Sequence, residues 1–322
     1  MGLFGFIKGL LGGGAGDPRK DPTASFKRER PPTSERAAPP RRRGSRRPRD
    51  IAALAAWIGV GERELTRVSP SYQTFFIPKR NGDRRRIDAP SAELKTLQRR
   101  INRKLLRRLK THRAATGFER GRSIATNAAA HTGNAVVVQM DIRDFFPSTT
   151  TQRVLDYFRA IGWEDDAARL LVDLTTHEGG LPQGAPTSPR LSNLVNHQLD
   201  ARLDRLAARC HAAYTRYADD ITFSFADGDP LVVRRVIRAT KSILAEHGYR
   251  IHHRRKLHIR RRHERQVVTG LVVNDRANLP RHTRRWLRAV EHRLMTTGSA
   301  TLTESQLAGW RALRQMIDRE RG

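Results

Sequence analysis

The chain has 322 residues, with 62 Lys or Arg against 32 Asp or Glu, a formal net charge of +30. That length allows about one to three domains and a substantial core, while the charge would burden a free monomer by self-repulsion unless a polyanion neutralises it. Nucleic acid is the indicated partner, ahead of an anionic membrane surface. Cys210 is the single cysteine, which excludes an internal disulfide and any Cys-based zinc cage and fits a reducing, cytoplasmic compartment.

The opening MGLFGFIKGLLGGG is apolar but short, without the basic n-region and small-residue cleavage site of a secretory leader. It reads as a frayed glycine-rich tail or a weak surface-binding helix. No apolar run approaches the roughly 18 residues needed to span a bilayer. Residues 1–50 hold 13 Lys/Arg and five Asp/Glu amid Pro, Gly and Ser, too few apolar groups to offset ordering entropy, so they form a disordered basic arm. Residues 51–322 show no second linker of this kind and read as one multi-lobed unit.

YQTFFIPKRNGDRRRIDAP (72–90) is a hairpin turning at Asn81-Gly82. Leu94, Leu97, Ile101, Leu105 and Leu109 recur at helical spacing. NAVVVQMDIRDFF (134–146) is a buried strand with Asp141 near its mouth. Ser188 and Pro189 start a helix that runs through Leu191, Val195, Leu199, Leu203 and Leu206 towards Cys210. AAYTRYADDITFSF (212–225) is a β-hairpin with Asp219 and Asp220 at its tip, and Asp229-Pro230 caps a further helix that stops at Gly248. The order predicts an α+β layer, a small antiparallel sheet with helices on one face.

Asp219 and Asp220 alone are turn chemistry, since Asp caps local backbone N–H groups. A third carboxylate changes their weight. Asp141 follows the apolar AVVVQM, where a lone charge is costly unless it binds something positive. If its strand lies beside the 212–225 hairpin, the acids converge, and hard oxygen donors without His or Cys select Mg²⁺ or Mn²⁺ over zinc. His252 and His253 lie among arginines and read as solvated or RNA-facing. In a basic chain, such a cluster suggests two-metal phosphoryl transfer, one ion activating a hydroxyl and the other holding a triphosphate.

QMDIRDFFPS (139–148), LPQGAPTSPRLSN (181–193) and RYADDITFS (216–224) resemble reverse-transcriptase palm motifs in order and spacing. The resemblance extends through IPKRNGDRRRIDAP (77–90), GFERGRSIATNAAAH (117–131), GYRIHHRRKLHI (248–259) and VVTGLVVN (267–274). Within that group II intron-like superfamily the chain resembles retron reverse transcriptases, on Asn127–His131 as an NAxxH element and Val268-Thr269-Gly270 as a VTG element. No maturase or endonuclease segment is expected after the thumb region. The resemblance implies a right-hand polymerase, with fingers and palm over 51–275 and a helical thumb over 276–322. The tail supplies an apolar stripe of Trp286, Leu287, Val290 and Leu294 flanked by arginines for duplex backbone.

Carried over position by position, the resemblance makes Asp141 and Asp219 the principal ligands of two Mg²⁺ ions. Asp220 supports them, and the Ile142 carbonyl completes a coordination shell. Phe146 takes the position of a ring that excludes a ribose 2′-OH, although spacing alone equally describes a core aromatic. Lys79 and Arg86 would hold the incoming triphosphate, and Gln183 and Gly184 would pack on the nascent base pair. Lys256 would protonate the pyrophosphate leaving group or simply contact a phosphate. Asn127, His131 and Thr269 take RNA-binding or structural roles.

The implied substrates are dNTPs and a structured noncoding RNA, copied from a guanosine 2′-OH into branched RNA-linked DNA. An effector protein and a role in antiphage defence are implied with them. Two other readings stay open: a reverse transcriptase for an intron or diversity-generating RNA, and an RNA-binding protein with a vestigial site.

Overall fold

The computed structural model describes residues 48–78, 82, 84–252, 257–299 and 301–320. The basic arm lies outside them except for its last residues. Asp50 accepts a hydrogen bond from Ala53 N at 2.7 Å and so caps α1 (Ile51–Ile58). The Arg49 guanidinium bonds Ile161 O and sits 5.8 and 6.0 Å from the Trp57 and Trp163 rings. Composition assigns both residues to the arm; their contacts make them the start of the folded chain.

After α2 (Glu62–Arg67), β1 (Tyr72–Pro78) and β2 (Arg84–Pro90) pair antiparallel from Tyr72↔Pro90 to Pro78↔Arg84. This is the hairpin expected over 72–90, standing as a two-stranded sheet. Ser91 caps α3 (Ala92–Lys104), whose Leu94, Leu97 and Ile101 are buried. The leucine repeat predicts a helix to Leu109, but the helix ends at Lys104 and a 3₁₀ turn follows over Leu106–Arg108. Arg190 accounts for the difference: its guanidinium donates to Leu106 O at 3.3 Å and Leu109 O at 2.5 Å, giving the last carbonyls a tertiary partner.

There follow α4 (Ile124–Ala129), β3 (Val136–Asp141), α5 (Phe145–Ser148), α6 (Thr151–Ala160), α7 (Asp165–Thr175), α8 (Ser188–Val195) and α9 (His197–Arg209). The single helix expected from Ser188 to Cys210 is two. It breaks at Asn196, whose side-chain amide donates to Ser192 O and to the Tyr249 hydroxyl, both at 2.8 Å, and accepts from Arg153 at 2.7 Å. Buried polar groups need partners, and these three bonds hold Asn196 off the helical path.

The hairpin β4 (Ala212–Tyr217) and β5 (Asp220–Phe225) leads into α10 (Pro230–Glu246), capped by Asp229 as expected. Then come β6 (His258–Arg261), the small hairpin β7 (Val267–Val268) with β8 (Leu271–Val272), and helices α11 (Arg281–Thr297) and α12 (Glu304–Arg319).

The central sheet has the order β4-β5-β3-β6, and each neighbouring pair is antiparallel. Alternation along strands sorts its residues by face. Val136, Val138, Met140, Tyr214, Ile221, Phe223 and Phe225 pack with Leu199, Leu203, Val233 and Val236 of α9 and α10. The opposite face carries Thr215, Thr222 and Ser224 and, at one end, the acids. A second core joins α1, α3 and α6–α8 through residues such as Leu54, Ile101, Phe158 and Leu171, all at 0% exposure. Burying each such side chain contributes roughly 1.5–3 kcal/mol.

A third core joins Ala125, Ala128 and Val137 to Val268, Leu271, Leu287 and Ile317. The boundary drawn at 276 therefore crosses a shared core. Of the expected stripe on α11, Leu287 and Val290 are buried, while Trp286 is 42% exposed and meets Trp310 edge-on at 5.8 Å. No helix among the described residues is long and apolar enough to cross a membrane.

Candidate active site

Antiparallel register brings the acids to one end of the sheet. Asp141, the last residue of β3, faces Asp220, the first of β5, and Asp220 also pairs with Tyr217. Cross-strand partners project to the same face, so the sheet presents both carboxylates on its polar side. Asp219 lies in the intervening two-residue turn, and its carbonyl accepts from Ile142 N at 2.9 Å. The Asp141 side chain is 13% exposed and lies 3.5 Å from His252 Nε2. All donors in this set are hard oxygens, which suits Mg²⁺ or Mn²⁺ in kind. Among the described residues, no three His, Cys, Asp or Glu side chains are drawn close enough together to cage an ion.

The turn that carries Asp219 is held from beneath. Ala218 adopts φ +57, a conformation that costs a non-glycine residue energy. Its carbonyl accepts from Arg216 Nη1 at 3.0 Å. Arg216 is fully buried and grips Asp200 of α9 through Nε to Oδ1 at 2.7 Å and Nη2 to Oδ2 at 2.6 Å. The Tyr214 hydroxyl donates to the same Asp200 Oδ1 at 2.8 Å, and the guanidinium lies 5.3 Å from the Phe145 ring. Burial pulls the guanidinium pKa down, but the Asp200 charge and hydrogen bonds more than reverse this and hold it above its ordinary value. A second brace comes from the 114–117 segment. Arg216 N donates to Ala114 O at 2.8 Å and Thr116 N to Arg216 O at 2.9 Å. A Cβ on Gly117 would stand 2.7 Å from Ala218 N, so the close approach requires glycine.

Strand β2 meets the 181–187 loop at Gln183-Gly184. Asp88 N donates to Gln183 O at 2.9 Å, and a Cβ on Gly184, at φ +144, would lie 2.7 Å from Asp88 O. Arg86, two residues earlier, pairs with Asp88 at 2.8 Å and with Glu178 at 2.6 Å. Its hydrogen bonds to Glu178 and then to Asp88 raise its pKa above the ordinary arginine value. Phe146 is half-buried where two of the cores meet, 5.5 Å from the Phe145 ring and 6.2 Å from Phe118. Lys79 and Lys256 lie outside the described residues.

Asn127, His131 and Thr269 stand apart from the acids. His131 has 0% exposure and bridges Ser224 Oγ at 2.8 Å and Thr215 Oγ1 at 2.7 Å; burial lowers its pKa to about 3. Asn127, also buried, accepts from Thr116 Oγ1 at 2.6 Å. An RNA-contacting role for these two side chains does not match their burial: they tie α4 to the sheet and to the segment that braces the turn. Thr269 and Gly270, at φ +45 and +85, form the tight turn between β7 and β8. Thr269 donates to Ile124 O at 2.9 Å. The NAxxH and VTG elements are thus structural neighbours, 142 residues apart in the chain.

Sequence reasoning missed Asp200, Tyr214, Arg216, Gly117 and Glu178. The first three carried one faint signal: a charged pair inside the apolar patterns of a helix and a strand needs a buried partner.

Residues 77–269 match the family "Reverse transcriptase (RNA-dependent DNA polymerase)". Three similar relatives are retron reverse transcriptases. Mx162 of Myxococcus xanthus is 39% identical over 78% of this chain and 59% of its own length; Mx65 of the same organism is 38% identical over 84% and 67%. Ec86 of Escherichia coli is 31% identical over 77% of each chain. The chain therefore spans about three fifths of the Mx162 protein. With the family match over residues 77–269 and these identities over most of its length, the chain belongs to the reverse transcriptases of the retron type.

Proposed function

We propose that this protein is an RNA-directed DNA polymerase that copies a structured noncoding RNA into DNA, starting from a 2′-OH of that RNA. The observation that carries the reading is the register Asp141↔Asp220 with Asp219 bonded to Ile142 between them. It supports Asp141 and Asp219 as the residues that would hold divalent ions, with Asp220 and the Ile142 carbonyl beside them. When bound, such ions supply charge neutralisation on the triphosphate and activation of the attacking hydroxyl. The protein's own groups do the rest. Arg86 offers a bidentate fork to the phosphates once its Glu178 partner is displaced, and the Gln183-Gly184 backbone presents a flat surface to the new base pair. Phe146 narrows the space at the sugar 2′ position, and Lys79 and Lys256 contribute positive charge to phosphates.

The test is template-dependent dNTP incorporation on primed RNA with Mg²⁺. The wild-type chain should extend the primer and Asp219→Ala should not, with unchanged thermal unfolding. Incorporation by neither protein on any primed RNA would instead favour an RNA-binding protein with a vestigial site. Sequencing nucleic acid copurified with the protein tests the substrate: a branched RNA–DNA species or its structured RNA precursor is expected. An intron or diversity-generating template in its place would reassign it. The antiphage role is tested by plating phage on cells carrying the gene with its flanking DNA, with and without Asp219→Ala.

A further inference from the structure

Phe118 combines three properties that a surface loop residue rarely has together. Its backbone lies at φ +64, a conformation in which a bulky residue is a genuine outlier. The residue, which carries a large apolar ring, is 46% exposed. That ring also stands 6.2 Å from Phe146 and 6.3 Å from Tyr217, so one side chain touches both the ring at the sugar position and the residue opposite Asp220. Strain of this kind persists only where the surroundings over-determine it, and they do. Gly117 is clamped against Ala218, and its carbonyl accepts from Asn193 Nδ2 at 2.7 Å. Glu119, on the other side, takes a hydrogen bond from Asn193 at 2.8 Å and an ion pair from Arg190. Both neighbours of Phe118 are thus anchored to α8, and the chain between them has no freedom to relax. Full burial in a core does not explain the side chain, since the residue is nearly half exposed. What the fixed backbone achieves is to hold an aromatic ring against Phe146 from the solvent side.

We propose that Phe118 is a specificity-determining positioning residue, whose ring backs Phe146 and sets the clearance at the 2′ position of the incoming nucleotide. Phe146 is only half-buried in the cores behind it, so without Phe118 its ring gains room to swing away and a ribose fits. The inference rests on the reading of Phe146 as the sugar-facing ring.

The experiment measures kcat/KM for a dNTP and the matching rNTP on one primed RNA. The proteins are wild type, Phe118→Ala, Phe118→Gly, Phe118→Tyr, Phe146→Ala and the double Phe118→Ala/Phe146→Ala variant. Loss of the Phe118 ring should lower the dNTP/rNTP preference by roughly 10-fold, the scale of discrimination by apolar pocket shape. Glycine accepts φ +64 without strain, so Phe118→Gly should show the same drop even if Phe118→Ala folds poorly. Phe118→Tyr keeps the ring and should keep the wild-type ratio. The double variant should be no less selective than Phe146→Ala, because one residue acts through the other. An unchanged ratio in Phe118→Gly beside a collapsed ratio in Phe146→Ala overturns the proposal and spares the reading of Phe146. An unchanged ratio in Phe146→Ala overturns both.

Discussion

At Arg86 the fork that holds two carboxylates has the shape a phosphate needs. Lysine is a point charge on a flexible stem and cannot reproduce bidentate contact. Arg86→Lys should therefore raise KM for dNTPs by about 10-fold, one lost charge-assisted bond, with a smaller change in kcat. Glu178 competes for the same guanidinium, 2.6 Å away, so Glu178→Gln should lower that KM. Steady-state kinetics at fixed template decides both, and a higher KM in Glu178→Gln would show that the acid orients Arg86 instead of masking it. Gly184 is a different kind of site: with Asp88 O 2.7 Å from any added Cβ, Gly184→Ala must push β2 away from the loop that carries Gly184.

At the scale of elements, the β4–β5 hairpin depends on residues that never face the acids. Arg216 and Asp200 have 0% side-chain exposure. Removing one partner of such a pair leaves a buried charge, so Asp200→Asn and Arg216→Met should each destabilise the protein by roughly 3–5 kcal/mol. The apolar pair Arg216→Met/Asp200→Leu should recover much of that loss in chemical denaturation. It should still incorporate dNTPs slowly, because nothing then ties Ala218 O in place. Full recovery of activity would assign Arg216 to stability alone. Gly117→Ala should cost about 1–3 kcal/mol by overpacking against the same turn. Only a faint signal marked these residues in advance. Asp200 and Arg216 look like ordinary charges on a helix face and a strand, and only the fold brings a residue of α9 beneath the hairpin.

At the scale of the whole molecule, two properties follow from charge and burial. Residues 1–47 hold twelve of the 62 Lys and Arg residues. Deleting them, while keeping Arg49 and the Asp50 cap, should weaken nonspecific RNA binding and flatten its salt dependence without abolishing incorporation. Binding isotherms at several salt concentrations check this. His131 links stability to pH. Its folded pKa is depressed from 6.5 to about 3, so the unfolded chain takes up the proton first. Stability is full above about pH 6.5 and falls as pH drops towards 3, by up to about 1.4 kcal/mol per unit. His131→Gln should show a shallower decline between about pH 6.5 and 5 in urea titrations.

Local residue pattern carries the class of chemistry: a basic chain, acids at strand ends, a hairpin over 72–90 and the retron-like motifs, each read from residues close together in the chain. The register Asp141↔Asp220, the helix break at Asn196, and the burial of Asn127 and His131 come from long-range packing instead. Long-range packing also braces the Ala218-Asp219 turn with Arg216 and Gly117 and sets Phe118 against Phe146. Each of these depends on partners tens of residues away, and long-range packing overrides local pattern wherever a buried polar group must find its bond.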